Sequence, residues 1–361
     1  MHIEHKIGQM LIIGLPSTQV DDVTRELLTT IQPGGVLLER TNIESAEQIV
    51  AFTSQIRAAL PVPPFITIDQ EGGRVDRLKN LIAPMPSADL LRSSGDAATA
   101  SRLGEITAEA LRSFGFNINF APVLDIATDD AADNGLAQRY YGDTVGRVIS
   151  MAGAYLEGMQ RNGVIGVGKH FPGLGATNVD SHSHLPQVNL SRDEMQKRDL
   201  LPYVEMFSKI NSRLVAVMIS HAHYTAYDGA AALPASISRN VVNGLLRDEL
   251  SFKGLAITDD IEMGAITENR SAGEAAVMAI EAGVDMALTC GTPESTMQIW
   301  QAMVAAANQN RITRTHISRA FDHIARVKAM VSPPHPFTDT TVSRLYEQIA
   351  ELNLALQDGR Q

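Results

Sequence analysis

A (β/α)8 TIM barrel, an α/β fold in a single domain with a C-terminal helical extension, is expected from three features of the chain. About eight short, apolar, β-rich segments recur along its 361 residues, helical patterns separate most of them, and no glycine fingerprint of a nucleotide-binding sheet interrupts the series. The strand segments are almost continuously apolar, as strands covered on both faces are. A doubly wound open sheet shares the alternation and is the competing architecture.

The first two strand segments are MLIIGL at 10–15 and GGVLLE at 34–39. SAEQIVAFTSQIRAAL follows with apolar residues three and four apart, a helical spacing, and leads to PFITID at 64–69. A second helical pattern, AATASRLGEITAEALRSFG, precedes INFAPVLDI at 118–126, and a third, VISMAGAYLEGMQRNG, precedes GVIGVGKHF at 163–171. LVAVMIS at 214–220 and GLAITDD at 254–260 come next, and SAGEAAVMAIEAG separates the latter from GVDMALT at 283–289. The barrel is expected over residues 1–332. SPPHPF at 332–337 then breaks the composition, and TVSRLYEQIAELNLALQ reads as one amphipathic helix packing on the barrel, so 333–361 form the extension.

Hydrophobic residues at 44% and charged residues at 20% describe a globular chain with a sizeable core. The net charge of −11 comes without any run of Lys or Arg, which makes nucleic acid and anionic membrane poor partners and favours a neutral or cationic small molecule. MLIIGL is too short for a membrane span and no small-residue cleavage site follows it, so the expectation is a cytoplasmic protein. The single cysteine, Cys290, forms no internal disulfide and reads as a small buried apolar residue, because no histidine lies near it in sequence to activate it.

In a β/α barrel the carboxyl ends of the strands converge on one face, and that face carries the chemistry. The third segment ends in Asp69, with QEGGRVDR following, and the fourth contains Asp125 near its end. Lys169 and His170 stand at the end of the fifth, His221 and His223 after the sixth, and Asp259 and Asp260 end the seventh. Taken singly, Asp125 or Asp260 could cap a helix, the two histidines could be structural, and Gly72-Gly73 could be a tight turn. Their convergence suits retaining glycoside hydrolysis, which needs a carboxylate nucleophile and a separate proton donor and acceptor. The stretch GATNVDSHSHLP adds a loop histidine, His182, with Asp180 two residues before it to orient the imidazole.

IDQEGGRVDR, NFAPVLDI, KHFPG, DSHSHLP, PASIS and AITDDIEMGAI occur in that order, and in this the chain resembles the family 3 glycoside hydrolases over roughly residues 5–330. The branch it resembles is the single-domain bacterial β-N-acetylhexosaminidases that act in cell-wall recycling. The resemblance implies a retaining mechanism in which Asp259 is the nucleophile, His182 the acid/base and Asp180 its partner. It implies that Asp69, Arg77, Arg139, Lys169 and His170 hold the sugar hydroxyls and N-acetyl group, by charge-assisted hydrogen bonds. It implies a sugar substrate, an N-acetylglucosaminide or muropeptide, and no cofactor or metal. Two departures stand out: the family usually writes K-H-F-P-G-H-G-D-T where Leu174 and Ala176 stand here, and R-S-F-G where residues 139–142 read RYYG.

Other readings remain open at this level. Asp180, His182 and His184 could form a metal cluster of the amidohydrolase kind, although there the His-x-His pair ends the first strand, whereas here it follows the fifth. A non-catalytic sugar-binding barrel is a second alternative, and a phosphorylase that resolves the intermediate with phosphate is a third.

Overall fold

The computed structural model describes residues 2–128, 134–177, 180, 184–209 and 213–358. Eight parallel strands close into a barrel: β1 Leu11–Gly14, β2 Gly35–Leu37, β3 Phe65–Ile68, β4 Ile118–Asn119, β5 Ile165–Phe171, β6 Ala216–Ile219, β7 Leu255–Asp260 and β8 Met286–Thr289. Each pairs with its sequence neighbours, and β1 pairs with β8 in the register Ile12 opposite Leu288 to complete the ring. That closure excludes the open sheet, which would leave two strand edges unpaired. Burial on both faces explains the uninterrupted apolar runs: every residue of β2, β3, β5, β6 and β8 is buried.

The fourth segment departs from expectation. Regular strand covers only 118–119 of the predicted 118–126, because Pro122 has no N–H to donate to a ladder. Pairing with β5 continues irregularly instead, through Val167 N–H to the Ala121 carbonyl at 2.9 Å and Leu124 N–H to the Lys169 carbonyl at 2.6 Å. This extended stretch carries Asp125 inward until it is 1% exposed. A further element not expected from sequence is the parallel pairing of Gln187–Val188 with His223–Tyr224, which ties the loop after β5 to the loop after β6.

The helices begin where capping side chains allow. Ser45, Asp96, Thr144 and Ser271 each accept a backbone N–H in the first turn of Ala46–Ala59, Ala97–Ser113, Val145–Arg161 and Ala272–Ala282, satisfying donors that the helix leaves unpaired. The helix Asp339–Asp358 packs its Leu345, Ile349, Leu352 and Leu356 inward and contacts the helices Ala88–Ser94 and Ala97–Ser113. Among the described residues no helix is long and apolar enough to cross a membrane.

Candidate active site

A cavity of about 270 Å³ opens at the carboxyl ends of the strands. Asp69, Arg77, Arg139, Lys169, His170 and Asp259 all line it, and so does Asp180. His182 lies outside the described residues. Residues spread over almost 200 positions of sequence therefore meet in one concavity, because barrel closure brings successive strand ends together.

The β3 end and its loop build the first wall. Gln70 is fully buried, and its side chain accepts the backbone N–H of Arg77 at 2.9 Å and donates to Asp76 Oδ1 at 2.8 Å. Gly72 and Gly73 turn the chain at φ 89° and 58°, and a Cβ on Gly72 would lie 2.2 Å from the Pro86 carbonyl oxygen. The turn thus needs glycine for both conformation and space. It aims Asp69, Glu71 and Arg77 at the cavity.

Three cations there, Lys169, Arg139 and Arg77, are held by carboxylates. Lys169 Nζ lies 2.6 Å from Asp69 Oδ1 and 2.6 Å from Glu71 Oε1. Arg139 donates from Nε and Nη2 to the two oxygens of Glu71, both at 2.8 Å, and from Nη1 to the Gly135 carbonyl at 3.0 Å. Arg77 Nε pairs with Glu39 Oε2 at 2.7 Å. Burial alone would raise the pKa of Glu71, but the charges of Arg139 and Lys169 outweigh it and hold the carboxyl well below its ordinary value. Burial would likewise lower that of Lys169, yet Asp69 and Glu71 overcome it together with the repulsion from Arg139, and the pKa is raised. Burial, reinforced by the charge of Asp69, raises that of Glu39.

His170 is oriented from behind. Its Nδ1 lies 2.7 Å from Asp125 Oδ2, and Asp125 also accepts the backbone N–H of His170 at 3.2 Å and of Leu174 at 2.6 Å. Asp125 therefore serves as an anchor for the β5 end. Leu174 uses its backbone for that bond and its side chain to line the cavity.

The opposite wall is β7. Burial would raise the pKa of Asp259, but the imidazoles of His221 and His170, the backbone N–H of Asp260 at 2.9 Å from Oδ1, and Lys169 outweigh it and keep the carboxyl below its ordinary value. His221 does not line the cavity. Its Nε2 donates to the Asp260 carbonyl at 2.9 Å and its Nδ1 lies 2.8 Å from Ser236 Oγ. A carbonyl only accepts, so Nε2 carries a hydrogen. Burial, the largest influence, lowers the pKa of His221 against the charge of Asp259. Asp260 behaves unlike its neighbour: burial, with the charges of Asp259 and Glu262 adding to it, pushes its pKa up to about 6 against the Glu262 and Cys290 amides that Oδ1 accepts. Two adjacent carboxyls with pKa values driven apart are an arrangement suited to different roles.

His223 takes no part in the cavity; its ring nitrogens lie 3.0 Å from the Gly229 carbonyl and 3.3 Å from that of Leu233, a structural role. Cys290 corrects the sequence reading in one respect, being half-buried and lining the cavity rather than sitting in the core. Burial and the surrounding carboxylates raise its pKa well above the ordinary value, so the thiol stays protonated and a poor nucleophile. His184 is exposed, with Nδ1 2.7 Å from Glu268 Oε1. Among the described residues no group of three or more His, Cys, Asp or Glu is placed to hold a metal.

Sequence reasoning missed Glu39 and Glu71. Glu39 ends the second apolar segment, so the same strand-end rule would have found it. Glu71 stands two residues past a strand end beside a glycine turn, and no periodicity distinguishes it.

Residues 2–327 match the model of the glycosyl hydrolase family 3 N-terminal domain. The chain is 35% identical over 282 residues to a β-hexosaminidase from Methylococcus capsulatus, covering 77% of this chain and 82% of that protein. It superposes on a family 3 β-N-acetylglucosaminidase from a Paenibacillus species with a TM-score of 0.89 and 32% identity, covering 98% of this chain and 69% of that one. A β-N-acetylhexosaminidase from Beutenbergia cavernae superposes with a TM-score of 0.82 and 27% identity, covering 91% of this chain and 99% of that one.

Proposed function

The chain belongs to glycosyl hydrolase family 3 and is a glycosidase with β-hexosaminidase activity, and from that premise we propose that it removes terminal β-linked N-acetylglucosamine with retention of anomeric configuration. Asp259 attacks the anomeric carbon while His182 passes a proton to the departing glycosidic oxygen, giving a glycosyl-aspartate and the free aglycone. Water then attacks the same carbon, His182 takes up its proton, and Asp259 leaves as carboxylate. Asp180 supports the imidazolium, and Asp69, Arg77, Arg139, Lys169 and His170 hold the sugar. Muropeptide fragments are the proposed natural substrates and the cytoplasm the proposed setting.

The observation that carries this reading is the placement of Asp259: a carboxyl held below its ordinary pKa at the wall of a cavity of about 270 Å³, in which Arg77, Arg139 and Lys169 are already paired with other carboxylates. An ionised oxygen facing the cavity has a lone pair available for the anomeric carbon. The test is turnover of nitrophenyl β-N-acetylglucosaminide by the wild type and by Asp259→Ala, with products compared in the presence and absence of phosphate. The variant is expected to fold and to lose essentially all turnover, and a slow fluorinated N-acetylglucosaminyl substrate is expected to label Asp259 in the wild type. A label on any other residue would refute the nucleophile assignment.

A further inference from the structure

Glu71 is 5% exposed and stands between two cations of the cavity. Among the described residues it is the one carboxylate within hydrogen-bond distance of both Arg139 and Lys169. We propose that Glu71 is the positioning residue of the sugar site, fixing the Arg139 guanidinium and the Lys169 ammonium in the orientation that receives the sugar; this rests on the sugar-binding role given to those two residues above.

Donor accounting supports it. A guanidinium has five N–H donors and an ammonium three. Arg139 commits Nε and Nη2 to Glu71 and Nη1 to Gly135, which leaves about two donors, and Lys169 commits one each to Asp69 and Glu71, which leaves about one. A two-point bond to one carboxylate fixes the plane of a guanidinium, so the remaining donors point in defined directions. Asp69 shares Lys169 but does not reach Arg139, and its side chain is more exposed, at 18% against 5%. Among the described residues only Glu71 therefore couples the orientation of the two cations, one from the loop after β4 and one from β5.

Removing its charge also has an electrical consequence. Asp69 and Glu71 hold the Lys169 ammonium against burial and against Arg139. Other charged or titratable groups of the cavity include Glu39, Asp259, Asp260, Arg77 and the chain neighbour of Lys169, His170. In Glu71→Gln the attraction falls while the Arg139 repulsion stays, so Lys169 loses its proton at lower pH than in the wild type.

The experiment compares wild type, Glu71→Gln and Glu71→Asp as full chains, measuring kcat and KM with a nitrophenyl β-N-acetylglucosaminide, and Tm. A misplaced binding group costs up to about 100-fold, so Glu71→Gln is expected to lose about tenfold to 100-fold in kcat/KM, chiefly through KM. Glu71→Asp keeps the charge but is one methylene too short to span both cations; its KM is expected to rise, by less than that of Glu71→Gln, with little change in kcat. If Glu71→Gln does not fold, Glu71→Asp alone decides, and an unchanged KM overturns the proposal. A Glu71→Gln with wild-type KM and kcat and only a lowered Tm would make Glu71 purely structural and also overturn it. Wild-type protein without β-N-acetylhexosaminidase activity would instead refute the functional reading on which this inference rests.

Discussion

Asp259 and Asp260 share a strand end and differ in what surrounds their carboxyls, and the difference is testable at the level of one atom. A carboxyl whose pKa is raised on folding stabilises the fold while protonated: for Asp260 that contribution is complete below about 3.8 and is lost as pH rises through about 6. Asp260→Asn removes the ionisation and keeps an oxygen for the Glu262 and Cys290 amides. It is expected to stabilise the protein by about 1–3 kcal/mol at pH 8 and to change it little at pH 4.5, as read from urea unfolding at the two pH values. Equal effects at both would remove the buried charge as the cause. The candidate site was legible in the sequence to the extent that its residues end strands, as Asp69, Lys169, His170 and Asp259 do. Glu71 and Glu39 were not singled out, since their importance lies in partners elsewhere: Arg139 is 68 residues from Glu71.

The helices Ala97–Ser113 and Val145–Arg161 show the same limit one level up. Their apolar spacing is evident in sequence, but the closeness of their approach is not. A Cβ on Gly104 would lie 2.1 Å from the Tyr155 carbonyl oxygen, and one on Gly158 would lie 2.1 Å from that of Ser101. Gly158→Ala must push the two backbones apart, and overpacking of this kind costs about 1–3 kcal/mol. Gly146, on the same helix as Gly158, has nothing within 4 Å of its added Cβ. Gly146→Ala is therefore expected to stabilise by up to about 1 kcal/mol, through helix propensity. Thermal unfolding of the two variants gives opposite signs if backbone contact rather than propensity governs this helix pair. Strand β4 is the complementary case: its apolar run extends to residue 126, whereas Pro122 ends the regular ladder and lets Asp125 turn inward to hold His170.

For the molecule as a whole, the helix Asp339–Asp358 lies beyond the matched family region yet reaches the support of the cavity. Asn353 Nδ2 donates to the Pro84 carbonyl at 2.9 Å; the next residue, Met85, donates to Asp76 at 2.8 Å and accepts the Gly73 N–H at 2.9 Å. Deleting residues 333–361 exposes the apolar face formed by Leu345, Ile349, Leu352 and Leu356 and frees that loop. The truncated chain is expected to melt at lower temperature and to show a raised KM with a smaller change in kcat, checked by calorimetry and steady-state kinetics; an unaltered KM would confine the helix to a stabilising role. The alternation of strands and helices, the placement of polar groups at strand ends and the ordered family motifs could all be read along the chain, because hydrophobic periodicity and short motifs are local properties. Which carboxylate holds which cation, which aspartate stays ionised and where two helices touch were decided only by barrel closure. These depend on distances and desolvation among residues remote in sequence, and such quantities do not exist until the ring is complete.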